Sequence, residues 1–171
     1  MAHLCYCHTP PRFLWEPDEY FARRPVARAA GAAPVRLLRA WDRRAAARVT
    51  AYVANSAFTA ERIRRTYGRQ AAVVYPPIDL AAFRATAERS GRFLVVARLR
   101  PHKRLDLAIA AAGRLAVGLD IIGEGSDRAR LERLAGPGVR FLGRRSDAEV
   151  AAAMARCAGL LVPGVEDFGM T

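Results

Sequence analysis

Phe93-Leu94-Val95-Val96-Ala97-Arg98-Leu99-Arg100-Pro101-His102-Lys103 carries an uninterrupted apolar run straight into a cluster of cations. The apolar run reads as a short strand of a sheet covered on both faces. Leu105, Ala108, Ile109, Ala112 and Leu115 then recur on one face at helical spacing. This junction predicts Arg98 at a strand end and Lys103 in the first turn of the following helix. There the unpaired backbone N–H groups and the positive end of the macrodipole already favour an anion. Cations at the same place repel the helix end unless negative charge lies between them. A phosphate or diphosphate is the simplest such group, so the stretch predicts a nucleotide or a phosphorylated ligand.

The rest of the second half repeats the rhythm. Short apolar runs over 93–97, 119–123, 139–142 and 159–162 read as strands. Leu131 and Leu134 mark a second helix that stops at Gly136-Pro137-Gly138. Ser146-Asp147-Ala148-Glu149 is a capping box for a third, whose inner face would be Val150, Met154 and Cys157. Strands alternating with helices of this length predict a parallel sheet and a Rossmann-like half.

The first half is less regular. A strand end is expected within 3–8, then a loop over 9–15 too rich in proline and aromatic residues to be helical. A helix is expected over 34–48 and a strand over 51–54. Asn55-Ser56 should cap a helix ending at Gly68, and a strand should follow over 72–75. Pro76-Pro77 begins a stiff connector. The expected fold class is α/β, with parts of two Rossmann-like domains with parallel sheets: 1–76, a linker over 77–90, and 91–171. The chain opens almost inside an element and stops at Thr171 with no closing helix, which predicts a fragment of a longer protein.

Composition narrows the function. The 171 residues are 52% hydrophobic and 26% charged, a globular balance, with a net charge of +12. Lys103 is the only lysine and the arginines are scattered, which suggests coding bias as much as a selected surface. The densest basic stretch is Arg36, Arg39, Arg43, Arg44 and Arg48, interleaved with Leu37, Leu38, Trp41, Ala45 and Val49. It is either a solvated helix face or a contact for anionic lipid head groups or an anionic acceptor. Cys5, Cys7 and Cys157 form neither a disulfide framework nor a metal-ligand pattern, and read as reduced thiols of a cytoplasmic protein. No run is long enough to span a membrane, which leaves peripheral contact with an anionic inner membrane face open.

Arg98 and Lys103 in the spacing R-x4-K after a strand, together with Glu166-Asp167-Phe168-Gly169 after another, resemble the donor site of the retaining GT-B glycosyltransferases of family 4. Tyr6-Cys7-His8-Thr9-Pro10, Val53-Ala54-Asn55-Ser56, Val74-Tyr75-Pro76-Pro77-Ile78-Asp79 and Ile122-Gly123-Glu124-Gly125 support the resemblance. The Cys7-His8-Thr9-Pro10-Pro11-Arg12 stretch is most similar to the bacterial mannosyltransferases of surface-polysaccharide synthesis. The resemblance implies transfer of a hexosyl group from a nucleotide sugar (GDP- or UDP-hexose) to a glycan or lipid-linked acceptor hydroxyl, with retention. Residues 1–76 would be the acceptor side and 91–171 the nucleotide-sugar side.

It also implies roles. Arg98 and Lys103 would neutralise the leaving diphosphate. Glu166 would be the first carboxylate of an E-x7-E pair and contact the donor sugar, with Phe168 and Gly169 presenting loop backbone to it. The second glutamate would fall at position 174, beyond this chain, which implies that residues 1–171 alone are inactive. Gly123 and Gly125 would lie near the nucleotide. His8 would face the donor sugar, or is a structural hydrogen-bonding residue. Asn55-Ser56 caps a helix or lies near the donor. The sequence has no D-x-D, so no metal or other cofactor is expected and cations take that part. The alternatives are a non-catalytic truncated remnant and a basic nucleic-acid-binding protein, although no nucleic-acid-reading signature is present.

Overall fold

The computed structural model describes residues 1–17, 32–83, 86 and 88–169. It divides into two compact units, Met1–Pro77 with Glu166–Met170, and Ile78–Val165.

In the first unit, β1 (Leu4–Cys7), β2 (Ala51–Ala54) and β3 (Ala71–Val73) form a parallel sheet in that order. Cys7 pairs with Ala54, and Ala54 with Val73, so the three carboxyl ends lie level. Among the described residues, three helices accompany the sheet: α1 (Arg12–Trp15), α2 (Ala32–Ala47) and α3 (Ala57–Tyr67). Ala46, Val49, Tyr52, Ala54 and Ile63 make the core. Ser56 caps α3 by accepting from Thr59 N, and Gly68 closes it with φ 66°, a left-handed angle that suits glycine.

The stretch 9–15 is not all loop. Arg12–Trp15 is one helical turn begun by Pro11, whose φ of −54° already suits a helix start. Tertiary contacts hold it: Leu14 is buried, and Trp15 Nε1 donates to Asp42 Oδ2 at 2.8 Å. The hydroxyl of Tyr67 donates to the same oxygen at 2.8 Å, so Asp42 ties α1, α2 and α3 together.

In the second unit, β4 (Phe93–Val96), β5 (Leu119–Ile122), β6 (Val139–Gly143) and β7 (Gly159–Leu160) form a parallel sheet in the order β6-β5-β4-β7. The helices are α4 (Leu105–Leu115), α5 (Arg128–Leu134) and α6 (Asp147–Arg156). Val95, Leu99, Leu105, Ala108, Ile109, Ala112, Leu119, Ile121 and Leu131 form one core. The Ser146–Glu149 capping box is present at α6. The expected inner faces need trimming. Leu115 is exposed because it is the last residue of α4, and Ala151 is the buried residue of α6 while Val150, Met154 and Cys157 are half-buried.

The larger correction concerns Lys103, which does not stand in the first turn of α4. Pro101–Lys103 is a separate 3-10 turn, and Arg104 takes a left-handed φ of 52° before the helix begins. The i→i+3 bond Arg104 N→Pro101 O at 3.2 Å closes that turn, and an α-helix cannot run through a left-handed residue. Asp106, not a cation, occupies the first turn of α4, where the macrodipole favours an acid.

Asp120 on β5 anchors the far side of this sheet. Arg140 grips it with two hydrogen bonds of 2.8 and 2.7 Å, and Arg92 adds a third of 2.7 Å. Burial alone raises the Asp120 carboxyl, but the guanidiniums of Arg140 and Arg92 outweigh it and hold the group below its ordinary value. A depressed carboxylate stabilises the fold above its unfolded value of about 4, and that contribution is lost as pH falls through the folded value. Arg140 is more than half exposed, which keeps the expected effect small. Asp120→Asn should cost about 1 kcal/mol at neutral pH, with the difference from wild type closing below about pH 4; urea unfolding at both pH values measures it.

Candidate functional site

In a doubly wound parallel sheet, ligands bind outside the carboxyl ends of the strands where the strand order reverses. In the second unit that place lies between β4 and β7. The loop leaving β4 carries Arg98, and the loop leaving β7 runs through Pro163 and Gly164.

Close backbone packing fixes the Arg98 loop. Leu99 is fully buried while Arg98 and Arg100 on either side are exposed. Ala97 N donates to Ile122 O at 3.1 Å and Leu99 N to Glu124 O at 2.9 Å, while Leu99 O accepts from Asp127 N at 3.0 Å. Gly123-Glu124-Gly125 thus lies directly alongside Ala97–Leu99. A Cβ on Gly123 would run into the Ala97 carbonyl, and one on Gly125 into the backbone of Leu99. Gly123 also has φ 132°. The two glycines lie beside the Arg98 loop because only glycine permits this approach.

Lys103 is half-buried at the end of the 3-10 turn, with its N–H on Arg100 O at 3.0 Å. Gly164 rests against it: a Cβ there would stand 3.0 Å from both Lys103 Cα and Lys103 O. The structure therefore gathers Arg98, Lys103, Gly123, Gly125 and the 163–165 loop in one unit, at the carboxyl end of its sheet.

The remaining candidates belong to the first unit. His8 follows β1, is exposed, and meets Tyr6 edge to face at 5.3 Å. Glu166, Phe168 and Gly169 also pack with this unit. Phe168 lies 6.0 Å from Tyr75, and Gly169 has φ 78°. A chain of hydroxyls ties this stretch to His8. Ser56 Oγ donates to Asp167 O at 2.5 Å while accepting from Thr59 N at 3.0 Å, and Thr59 Oγ1 donates to His8 O at 3.1 Å.

Asn55 and Ser56 separate in role: Ser56 caps α3, whereas Asn55 is buried with Oδ1 lacking a protein donor among the described residues.

Arg62 is the residue that sequence reasoning missed. It lies on the inward face of α3 with Thr59 and Ile63, is 8% exposed, and pairs with both Asp167 and Glu16. Burial lowers its pKa and Asp167 raises it. The available signal was an arginine at i+3 from Thr59 and i−1 from Ile63, on the face that the helix buries. Arg62→Ala would leave Asp167 without its cation and Glu16 with Arg12 alone. A loss of about 3 kcal/mol in unfolding free energy is expected by chemical denaturation, with Arg62→Lys recovering only part.

Elsewhere the first unit holds no competing chemistry among the described residues. Burial first, then Cys5, pushes the Cys7 thiol up to about 11, so it is a poor nucleophile. No group of three or more His, Cys, Asp or Glu could hold a metal among the described residues. No described helix is long and apolar enough to cross a membrane.

Two units with parallel sheets, the second ordered around a cation-bearing switch point, define an α/β protein of the GT-B fold class. The family model for Glycosyl transferases group 1 matches residues 80–171, more than half of the chain, so the chain belongs to that family. No curated protein sequence matches it.

Solved structures agree in fold. AviGT4, described as a glycosyltransferase involved in avilamycin A biosynthesis, aligns with TM-score 0.55 and 21% identity over 65% of this chain and 34% of its own. Sucrose-phosphate synthase of Thermosynechococcus elongatus aligns with TM-score 0.67 and 18% identity over 75% of this chain and 39% of its own. TarM of S. aureus, solved with fondaparinux, α-GlcNAc-glycerol and UDP, aligns with TM-score 0.54 and 16% identity over 68% of this chain and 26% of its own. The alignments thus span between about a quarter and two fifths of these structural relatives.

Proposed function

We propose that this chain carries the diphosphate half of a retaining, family 4 type glycosyltransferase site that moves a hexosyl group from a nucleotide sugar to a glycan or lipid-linked acceptor. The observation that carries the reading is Arg98, exposed on a loop pinned at the switch point of the second sheet. A guanidinium there can donate two parallel hydrogen bonds to a diphosphate, and the Lys103 ammonium adds a mobile positive charge. Both stabilise negative charge as it develops on the leaving group. On this reading the cations take the part of a divalent metal, and transfer should persist in the presence of a chelator.

Glu166, Phe168 and Gly169 are proposed to meet the donor sugar, Gly123 and Gly125 to lie near the nucleotide, and His8 to face the reacting centre. Residues 1–76 are proposed as the acceptor side, 77–90 as linker and 91–171 as the donor side. The family match and the UDP in the TarM structure support a nucleotide-sugar donor. Mannose, GDP and surface-polysaccharide synthesis rest on the Cys7–Arg12 resemblance.

Titration of the whole gene product with UDP and GDP tests the reading, together with transfer from UDP- and GDP-hexoses followed by NMR of the anomeric product. Binding of one nucleoside diphosphate and an α product from an α donor are expected. Absence of binding to either would sink the proposal.

A further inference from the structure

The five arginines of the α2 stretch divide into two sets. Arg39 and Arg43 lie over the Trp15 ring, at 5.4 and 4.8 Å from its centre, and Arg39 also donates to Leu14 O at 2.7 Å. Arg36, Arg44 and Arg48 are exposed and have no acidic partner among the described residues. Three large apolar side chains share their exposure: Leu37 at 75%, Trp41 at 66% and Leu38 at 44%. Positions 37, 41 and 44 follow one another at i, i+4 and i+7, a single stripe along α2 that Arg48 continues in the turn just past its end. Asp42, the one acid of this helix, points the other way and accepts from Trp15 and Tyr67. The acids of the helices packed on α2 are committed too, Glu16 to Arg12 and Arg62 and Glu61 to Arg64 and Arg65.

An indole, a leucine and two guanidiniums on one stripe, free of acids among the described residues and flanked by Arg36 and Leu38, match one environment. Water does not reward Leu37 and Trp41, and a nucleic acid does not reward Leu37. A bilayer with anionic head groups rewards every member: the apolar side chains enter the acyl boundary, the indole sits at head-group level, and the arginines meet the phosphates. We infer that the outer face of α2 docks this protein on an anionic phospholipid membrane, lying in the interface plane and not spanning it. The inference stands apart from the proposed sugar-transfer reading, because none of its residues belongs to that site.

The chain has two tryptophans, so Trp15→Phe leaves Trp41 as the single reporter. With vesicles of phosphatidylglycerol and phosphatidylcholine, Trp41 emission should shift to shorter wavelength and be quenched by brominated acyl chains. Pure phosphatidylcholine vesicles and high salt should abolish both effects. Co-sedimentation of the wild type with the same anionic vesicles needs no change at Trp15. There Arg44→Ala with Arg48→Ala should weaken binding about thirtyfold, at roughly fivefold per charge, and Trp41→Ala should also release the protein. Trp41 emission already at a buried wavelength without vesicles would overturn the inference, since the face would then be covered by protein. So would vesicle binding that ignores both substitutions, or binding of an oligonucleotide in preference to vesicles.

Discussion

Lys103→Ala and Arg98→Ala are each expected to lower sugar transfer by the whole gene product about 10²- to 10³-fold in kcat/KM. A hydrogen bond to a charged group contributes about 1.5–3 kcal/mol, and the contribution grows as the phosphate gains charge in the transition state. Geometry makes Lys103 sensitive. Its backbone is held by Lys103 N→Arg100 O at 3.0 Å and backed by Gly164, so no neighbouring residue can slide into its place. Arg98 is tethered through buried Leu99, which no surface rearrangement relaxes. Nucleoside-diphosphate affinity should fall in both variants, while the unfolding midpoint changes little because Arg98 is exposed and Lys103 half-buried. Lys103→Arg should restore binding better than transfer, since a fork replaces a point charge. Unchanged transfer in both alanine variants would remove the diphosphate assignment.

Gly125→Ala and Gly123→Ala should each destabilise the second unit by about 3 kcal/mol. The methyl group added at either position meets backbone, not a flexible side chain: the Ala97 carbonyl for Gly123 and Leu99 for Gly125. Backbone cannot step aside without breaking Ala97 N→Ile122 O or Leu99 N→Glu124 O. Gly123 carries the added strain of φ 132°. The same displacement moves Arg98, so diphosphate binding should weaken even at temperatures where both variants are folded. Gly113→Ala is the control. Gly113 lies within α4 with open space where its Cβ would go, and the change should stabilise by about 0.5–1 kcal/mol. Thermal melts of the three variants measure the contrast. Wild-type stability in both Gly123 and Gly125 variants would show that the close approach does not hold.

Elements with strong local signals were legible without coordinates. Ser56 and Gly68 bracket α3, Ser146 and Glu149 open α6, and the apolar run at 93–96 is a strand. Elements held by distant partners were not. The turn Arg12–Trp15 depends on Asp42, and Leu115 is exposed although its spacing fits the buried face. Lys103 misled for a third reason: helical periodicity begins at Leu105, but periodicity does not reveal a left-handed residue at Arg104.

The sequence by itself determined that this chain is α/β, that its strands are parallel, and that cations follow a buried strand. Those properties follow from periodicity, caps and proximity along the chain. Only the tertiary structure decided that β7 pairs with β4, which turns the Arg98 loop into a switch point. It alone placed Asp167 on Ser56 and Arg62, more than a hundred residues away in the chain. It also showed that Gly123 and Gly125 serve close backbone approach. Pairing between distant segments is selected by the summed burial of a whole sheet and core, and no short stretch of sequence encodes that sum.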